Sequence, residues 1–412
     1  MIEQLYNYLI SNEEKIFSWY KSKVKSLEES SIPLPIYSSF DIRDSGYKAS
    51  IVDSNIYPAG FNNLDLGSRQ FASTKFLEYL SSISQSKDIL IIPENHTRNV
   101  YYFEHIKVLL KILKTAGFNT NIGYIEEGNN PVPFTGLENA GNDINPEKIF
   151  RNNGKACTES FNDGIIILNN DLSVSCPKIL EDISQPVLPS IFLGWYQRKK
   201  SSHFQYFNNL ITELAILTSF DPWFLGAYYT SVDNINFKEK ESLNIVADAV
   251  DMVIERISLK YEEYDIRDDP LVFVKNNSGT YGLGIISVSS GEDVKNLNSK
   301  NRKKMIFGKG RSRIDSVLIQ EGIYTKYVEN CNPAEPVIYN VGGEPVGGFM
   351  RVNTLQTAKK NLNTRGMSFK KIVENKQTQP IVHKNGKFSL YSLLTRIADL
   401  AIAYEHKQNL VN

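Results

Sequence analysis

The sequence predicts a mixed α/β fold, and three observations predict it. Residues 88–125 run strand, helix, strand; residues 271–288 run strand, glycine-rich loop, strand; residues 335–353 run strand, Gly-Gly turn, strand. The chain has 412 residues, too many for one ordinary core, so two or three lobes are expected. Hydrophobic residues are 41% and charged residues 22%, a globular rather than a disordered mix. Lys plus Arg and Asp plus Glu are 46 each, so no net charge draws the chain to nucleic acid or to an anionic membrane. Cys157, Cys176 and Cys331 are an odd set at no metal-ligand spacing, which argues against a disulfide framework or a zinc site and for a reducing, cytoplasmic setting. The start, MIEQLYNYLISNEEKIFSWY, carries acids early and no long apolar run, so it reads as neither signal peptide nor membrane span.

The elements follow in order. Residues 2–28 read as one amphipathic helix with Leu5, Tyr8, Leu9, Ile16, Phe17 and Tyr20 along a stripe, and the prolines at 33 and 35 end it. Asp88–Ile92 is a short apolar run suited to a buried parallel strand. Ile106, Leu109, Leu110 and Leu113 recur at helical spacing, with Gly117 where a C-cap belongs. Asn121–Ile125 and Gly164–Leu168 read as further strands of a Rossmann-like lobe, and the loop 126–156, rich in Asn, Gly and Pro, is expected on the surface. Phe204–Ser219 and Glu241–Leu259 read as long helices. Strands are expected at Leu271–Val274, Gly284–Val288, Val317–Gln320, Pro336–Val341 and Val346–Val352, and a last helix at Leu390–His406.

Four stretches carry chemistry. The first strand of 271–288 ends in Lys275, and a loop holding Asn277, Ser278, Gly279, Thr280 and Gly282 leads back into a strand. In a Walker A loop a helix follows and the lysine comes after the glycines, so this is a different device. Gly279, Gly282 and Gly284 remove side chains, which lets backbone N–H groups approach phosphate oxygens, and Lys275 adds a point charge. A glycine-turn hairpin with a surface lysine fits the same residues. Second, Asp315–Ile323 is a strand ending in a polar, glycine-containing hinge. Third, Arg351 and Asn353 emerge on one side of the second strand of 335–353, where an arginine fork can hold a phosphoryl group or a carboxylate; Asn361–Gly366 follows as a polar loop able to close over it. Fourth, Asp53 and Asn55 project from one strand face as hard oxygen ligands suited to Mg2+, although Asn/Asp turn chemistry would look alike. The segment Glu94-Asn95-His96-Thr97-Arg98 follows a buried strand, where α/β proteins often bind ligands, and it fits a helix cap equally well. The basic runs 198–203 and 300–313 fit a phosphate-facing patch or, as the favoured reading, a solvated face.

At VDSNIYPAGFNN, LIIPENHTRN, LGWYQRKKSSHF, KNNSGTYGLGI and VGGFMRVN the chain resembles the small class of bacterial glutamate–cysteine ligases, over about residues 38–370. Its layout also resembles the eukaryotic-type glutathione synthetases, a circularly permuted ATP-grasp family. That family's early Glu-x-Asn metal pair matches Asp53-Ser54-Asn55, its preceding arginine matches Arg43, and its lysine before a glycine loop matches Lys275. Its Gly-x-x-x-Arg-x-Lys strand matches Gly347 to Asn353, with Asn353 in place of the lysine. Its glycine-rich clamp corresponds to Asn361–Gly366 without the run of glycines, and its loop glutamate has no counterpart here.

The resemblance implies an ATP-grasp-type, glutathione synthetase-like, permuted scaffold with an inserted Rossmann-like lobe. Residues 1–85 would be an N-terminal helical segment and the metal and substrate part of the core, 86–190 the Rossmann-like substrate lobe, and 191–412 the nucleotide-binding portion with the last helix. The implied reaction joins L-glutamate to L-cysteine through a γ-glutamyl phosphate, with ATP and with Mg2+ on Asp53 and Asn55. Arg43 and Arg351 would be the catalytic cations. Arg43, Asn63, Glu94, Asn95 and Arg98 would meet the amino acids. Lys275, Asn277, Ser278, Gly279, Thr280, Gly282, Gln320, Glu321, Ile323, Asn353 and Asn361 would hold the nucleotide, with 320–323 at adenine and ribose as in ATP-grasp enzymes. The partners would be small molecules, with the oligomeric state open and a homodimer included. Two alternatives stand: another ATP-grasp carboxylate–amine ligase, and a nucleotide-binding protein without turnover, which the missing loop glutamate favours.

Overall fold

The computed structural model describes residues 1–412 except 127–131, 136–143, 280–281, 283, 309–312, 373–388 and 412. It opens with helices α1 (Ile2–Ser11) and α2 (Glu13–Glu29) rather than the single helix expected over 2–28. The break has a local cause: Ser11 Oγ and Asn12 Nδ2 both donate to the Tyr8 carbonyl, at 2.7 and 3.0 Å, and so compete with the helical ladder. Leu5, Leu9, Ile16 and Tyr20 are buried as the stripe requires, Phe17 is half-buried, and Tyr8 faces solvent.

Strands β1 (Tyr37–Asp44) and β2 (Ala49–Asn55) follow, then helix α3 (Leu66–Ile83). The next stretch holds β3 (Asp88–Pro93), α4 (Val100–Thr115), β4 (Asn119–Tyr124), β5 (Glu147–Lys148), the small hairpin β6 (Phe150–Asn152) and β7 (Lys155–Cys157), then β8 (Ile165–Asn169) and β9 (Val187–Leu188). Five of these strands form a parallel sheet in the order β5-β4-β3-β8-β9. Both faces of β3 and β8 are covered: Ile89, Ile91, Ile165 and Ile167 join one core, and Leu90, Ile92, Ile166 and Leu168 the other. That is why these strands read as unbroken apolar runs. Gly117 caps α4 with φ +87°, as its position suggests. The stretch 126–156 is not wholly a surface loop, because its described residues include β5 and β6 and the buried Phe134, Ile144 and Ile149.

Then come α5 (Lys200–Thr218), β10 (Tyr229–Asp233), α6 (Lys240–Glu263), β11 (Val272–Asn276), β12 (Ile285–Val288), α7 (Gly291–Lys295), α8 (Ser299–Lys304) and β13 (Ser316–Glu321). Strands β10-β13-β11-β12 form an antiparallel sheet. Val272, Val274, Ile286, Val288, Val317 and Ile319 bury one face of it in a core shared with α6, which leaves Phe273, Lys275, Ile285 and Ser287 on the other face.

The chain closes with β14 (Tyr327–Glu329), β15 (Asn332–Val341), β16 (Glu344–Asn353), β17 (Met367–Lys371) and α9 (Leu390–Val411). The central antiparallel sheet, β17-β16-β15-β1-β2 with β14 beside β15, therefore joins strands from both ends of the sequence. Phe40, Ile42, Ile51, Ile338, Met350 and Val352 pack with the apolar face of α9. On the opposite face α3 covers only the end formed by Tyr339, Val341, Val346 and Phe349. The uncovered remainder is the floor of a cleft.

Candidate functional site

That floor carries charge. Strand alternation sets Asp53 and Asn55 of β2, Asp41 and Arg43 of β1, Glu335 of β15 and Arg351 of β16 on it. Arg351 grips Asp41 with both terminal nitrogens, at 2.5 and 3.1 Å, and donates to Glu335 at 2.7 Å. Arg43 donates through Nε to the other oxygen of Glu335, and its fork donates to the carbonyls of Ala358 and Lys360 at 3.0 and 2.8 Å. Glu335 thus bridges two buried arginines, whose geometry is fixed before any ligand arrives. Burial pushes the Asp41 carboxyl up and Glu335 adds to this, while Arg351 pulls it back.

The facing wall is the polar side of β11 and β12. Lys275 Nζ donates to the Val52 carbonyl and to Gln320 Oε1, both at 2.7 Å, so one ammonium ties the two sheets together. Burial brings this lysine down to about 8 despite the nearby Asp53. Lys200, first residue of α5, pairs with Asp53. Burial works against charge on Asp53, but Lys200, Lys275 and Arg198 outweigh it and hold the carboxyl below its ordinary value. Gly282 closes in from the side: its φ is +66° and a Cβ there would stand 2.7 Å from the Asn363 carbonyl oxygen. Asn353 holds that opposing loop, its amide nitrogen 3.0, 3.2 and 3.3 Å from the carbonyls of Leu362, Thr364 and Arg365.

Three cavities run end to end along the cleft. The first, about 190 Å³, is lined by Phe273, Ile285, Ser287, Lys304, Lys360 and Asn361 among others. The second, about 40 Å³, shares Phe273, Ile285 and Asn361 with it and adds Arg43, Asp53, Lys275 and Gly282. The third, about 200 Å³, shares Asp41, Asp53 and Asn363 with the second and reaches Tyr57, Asp171, Trp195, Lys200, Gly279 and Arg351.

The structure brings together Arg43, Asp53, Asn55, Lys275, Gly279, Gly282, Arg351 and Asn361 of the residues the sequence singled out. Others lie elsewhere. Glu321 is on the buried face of its sheet, because β13 alternates and Gln320 already faces Lys275. Its carboxylate accepts from Lys48, Trp223 Nε1 and the Tyr228 N–H at 2.8, 3.0 and 2.8 Å, so it cannot meet a ribose in the cleft. Gln320 supports Lys275 from behind, and Ile323 is buried without lining a cavity described above. Asn277 caps α5: its carbonyl accepts from Lys200 N at 2.8 Å and its Oδ1 from Ser201 N at 2.9 Å. Ser278 faces solvent, Asn353 holds the 361–366 loop, and Thr280 lies outside the described residues. Of the expected amino-acid contacts, Asn63, Glu94, Asn95 and Arg98 do not line the cleft; Glu94 Oε1 accepts from Asp171 N at 3.3 Å, one layer behind it, and Arg98 is exposed. The basic run at 198–203 is not a solvated face, since Arg198, Lys200 and His203 are buried and only Lys199 is exposed. Lys200, in a run for which a solvated face was the favoured expectation, lines the cleft, and so do Trp195, Tyr57 and Asp171, which no sequence pattern singled out.

Buried cations along a narrow cleft can neutralise anionic oxygens as a group passes from one substrate to another, which is the work of a ligase. The chain belongs to the glutamate–cysteine ligase family (GshA), which it matches over residues 7–406. A crystal structure from Methylobacillus flagellatus KT, provisionally assigned as a gamma-glutamylcysteine synthetase, is similar with a TM-score of 0.85 at 31% identity, over 98% of this chain and 96% of that one. D-alanyl-alanine synthetase A from Vibrio cholerae O1 biovar eltor str. N16961 aligns over 66% of this chain and 68% of its own at 8% identity and a TM-score of 0.25, too low to carry an argument about fold. No curated protein sequence matches. The family reaction is the ATP-dependent joining of glutamate to cysteine. Among the described residues no helix is long and apolar enough to cross a membrane.

Proposed function

We propose that this cleft makes γ-glutamylcysteine by way of a γ-glutamyl phosphate, on a permuted ATP-grasp-type scaffold. Hydroxide is a poor leaving group, so a carboxylate must be activated before an amine can displace its oxygen. Phosphorylating the γ-carboxylate supplies the leaving group, and the cysteine amine then attacks the carbonyl carbon. Neither step needs a protein nucleophile; both need charge neutralised and reactants held in place. The observation that carries the reading is the junction at Lys275, where Gly282, Asp53 and Arg43 meet in one narrow passage between two wider cavities.

In this reading the nucleotide lies on the Phe273, Ile285, Lys304 and Lys360 side and its γ-phosphate reaches the passage. Lys275 and Arg43 face the transferring oxygens, and Arg351 keeps Asp41 from repelling them. Among the described residues no group of three His, Cys, Asp or Glu stands ready for a metal. The donors nonetheless fit Mg2+, which takes one or two protein oxygens and completes its shell with phosphate and water. Asp53, kept ionised, and Asn55 would hold it, and bound there it would neutralise phosphate oxygens. The free thiols of Cys157 and Cys331 support a reducing, cytoplasmic setting. ADP release by the purified protein, measured with glutamate and cysteine separately and together and with product mass read at the end, tests the proposal. Turnover needing both amino acids and a γ-glutamylcysteine mass are expected; no ADP release with the pair would overturn it.

A further inference from the structure

Two buried donors at the far end of the cleft have no acceptor among the described residues. The Tyr57 hydroxyl and the Trp195 indole N–H are shielded from solvent and hydrogen-bond to none of the described residues, although the two residues are only 6% and 3% exposed. Native proteins seldom leave such groups unpaired, because each forfeits its hydrogen bond to water without replacement. Both residues line the third cavity, so both can be satisfied by a molecule bound there. Lys200 lines it as well, its ammonium 5.0 Å from the centre of the Trp195 ring. Asp171 lines it too, and the Trp195 backbone N–H donates to the Asp171 carbonyl at 3.0 Å, which fixes the two as neighbours. Across the cavity, Val337, Phe349, Met367 and Phe369 give an apolar wall.

Two neutral donors and a cation beside a carboxylate complement an amino-acid head group. We infer that Tyr57, Trp195 and Lys200 bind the α-carboxylate of the glutamate substrate, and that Asp171 receives its α-ammonium. The assignment to glutamate follows from direction. A head held at this end sends its side chain toward Asp53 and Lys275, where the γ-carboxylate is to be phosphorylated. Cysteine must present a free amine as nucleophile, and an amine held by Asp171 could not attack. The inference rests on the ligase reading above and adds the residues that recognise the donor.

The discriminating variant is Tyr57→Phe, which removes one oxygen and leaves the ring. Its ligand-free melting temperature should equal or exceed that of the wild type, since an unpaired hydroxyl contributes nothing to the fold. Its KM for glutamate should rise about 10- to 100-fold, while KM for ATP and cysteine stay within about twofold. Replacing glutamate by 4-aminobutanoate, which lacks the α-carboxylate, should cost the wild type far more affinity than it costs Tyr57→Phe. Trp195→Phe should repeat the KM pattern, with a lower melting temperature of its own because the smaller ring leaves buried volume unfilled. Unchanged glutamate KM, a rise falling on cysteine instead, or a Tyr57→Phe melting temperature several degrees lower would overturn the inference. Thermal shift with glutamate alone separates this failure from that of the ligase reading. If the wild type makes no product, glutamate that raises its melting temperature but not that of Tyr57→Phe still upholds the subsite, and no shift in either removes it.

Discussion

Lys275 lines the narrow passage of the cleft, where burial makes its charge hard to keep. Its pKa falls to about 8 in the folded protein against an ordinary 10.5. The two consequences run in opposite directions. Below about 8 the free enzyme holds the ammonium that we propose faces phosphate, and above it that charge is lost. Between about 8 and 10.5 the unfolded chain keeps a proton that the folded chain has released, so stability gains with rising pH across that window. Lys48, brought by burial to about 8 behind the same sheet, adds to the gain. We therefore expect kcat/KM for ATP, which reports the free enzyme, to fall as pH rises through 8 while the urea midpoint holds or climbs. A flat kcat/KM from pH 7 to 9.5 would contradict the placement. Lys275→Met should remove the limb and lower kcat/KM by about 10² to 10³. This lysine was legible in the sequence because it ends an apolar strand just before glycines, and neither signal depends on the rest of the fold. Lys200 was not: it sits in a run of basic residues, and only the docking of the α5 N-terminus against Asn277 buries it beside Asp53.

At the scale of the element, the period of two in β13 decides which residues can act. Gln320 and Glu321 are neighbours in sequence and lie on opposite faces of one sheet. The alternation was available from the sequence, but the covered face was not, because α6 and Trp223 come from other parts of the chain. Glu321→Gln should behave as a core lesion rather than a binding lesion. It leaves the Lys48 ammonium buried without its anion, which costs about 3–5 kcal/mol. Urea denaturation should show that loss while KM for ATP in the folded fraction stays put; a raised KM with an unchanged midpoint would return Glu321 to the nucleotide. Asn353 makes the opposite case. Its amide gathers three carbonyls of the 361–366 loop, and Asn361 and Asn363 of that loop line the passage at Lys275. Asn353→Ala should free the loop, so that limited proteolysis within 354–366 quickens and KM for ATP rises several-fold. Equal cleavage rates in variant and wild type would mean the loop is held by something else.

The whole molecule is closed by α9, which comes last in the chain and packs under strands that come first. Its Asp399 carboxylate reaches into the sheet, where Ser38 Oγ of β1 donates to one oxygen and Asn340 Nδ2 of β15 to the other, each at 2.6 Å. No sequence pattern marks this residue as more than a polar break in an apolar helix; its role exists only once β1, β15 and α9 have met. Burial raises the Asp399 carboxyl to about 7, with Ser38 and Asn340 only partly opposing it. The unfolded chain has an ordinary aspartate near 3.8. Between those values the folded protein holds a proton that the unfolded chain has lost, so this stabilisation is complete below about 3.8 and disappears as pH rises through about 7. Buried His105 and His406, both lowered to about 4, push stability the other way between about 4 and 6.5, so the wild-type profile alone is a mixture. Asp399→Asn separates them. The amide keeps one acceptor for Asn340 and one donor for Ser38, in the manner of the protonated acid, and it does not titrate. The difference in urea midpoint between wild type and Asp399→Asn cancels the histidines and should move in favour of the variant from pH 5.5 to 7.5. A difference that stays constant over that range would mean that the carboxyl under the central sheet is charged throughout, and that α9 is docked by an ion rather than by a neutral hydrogen-bonding pair.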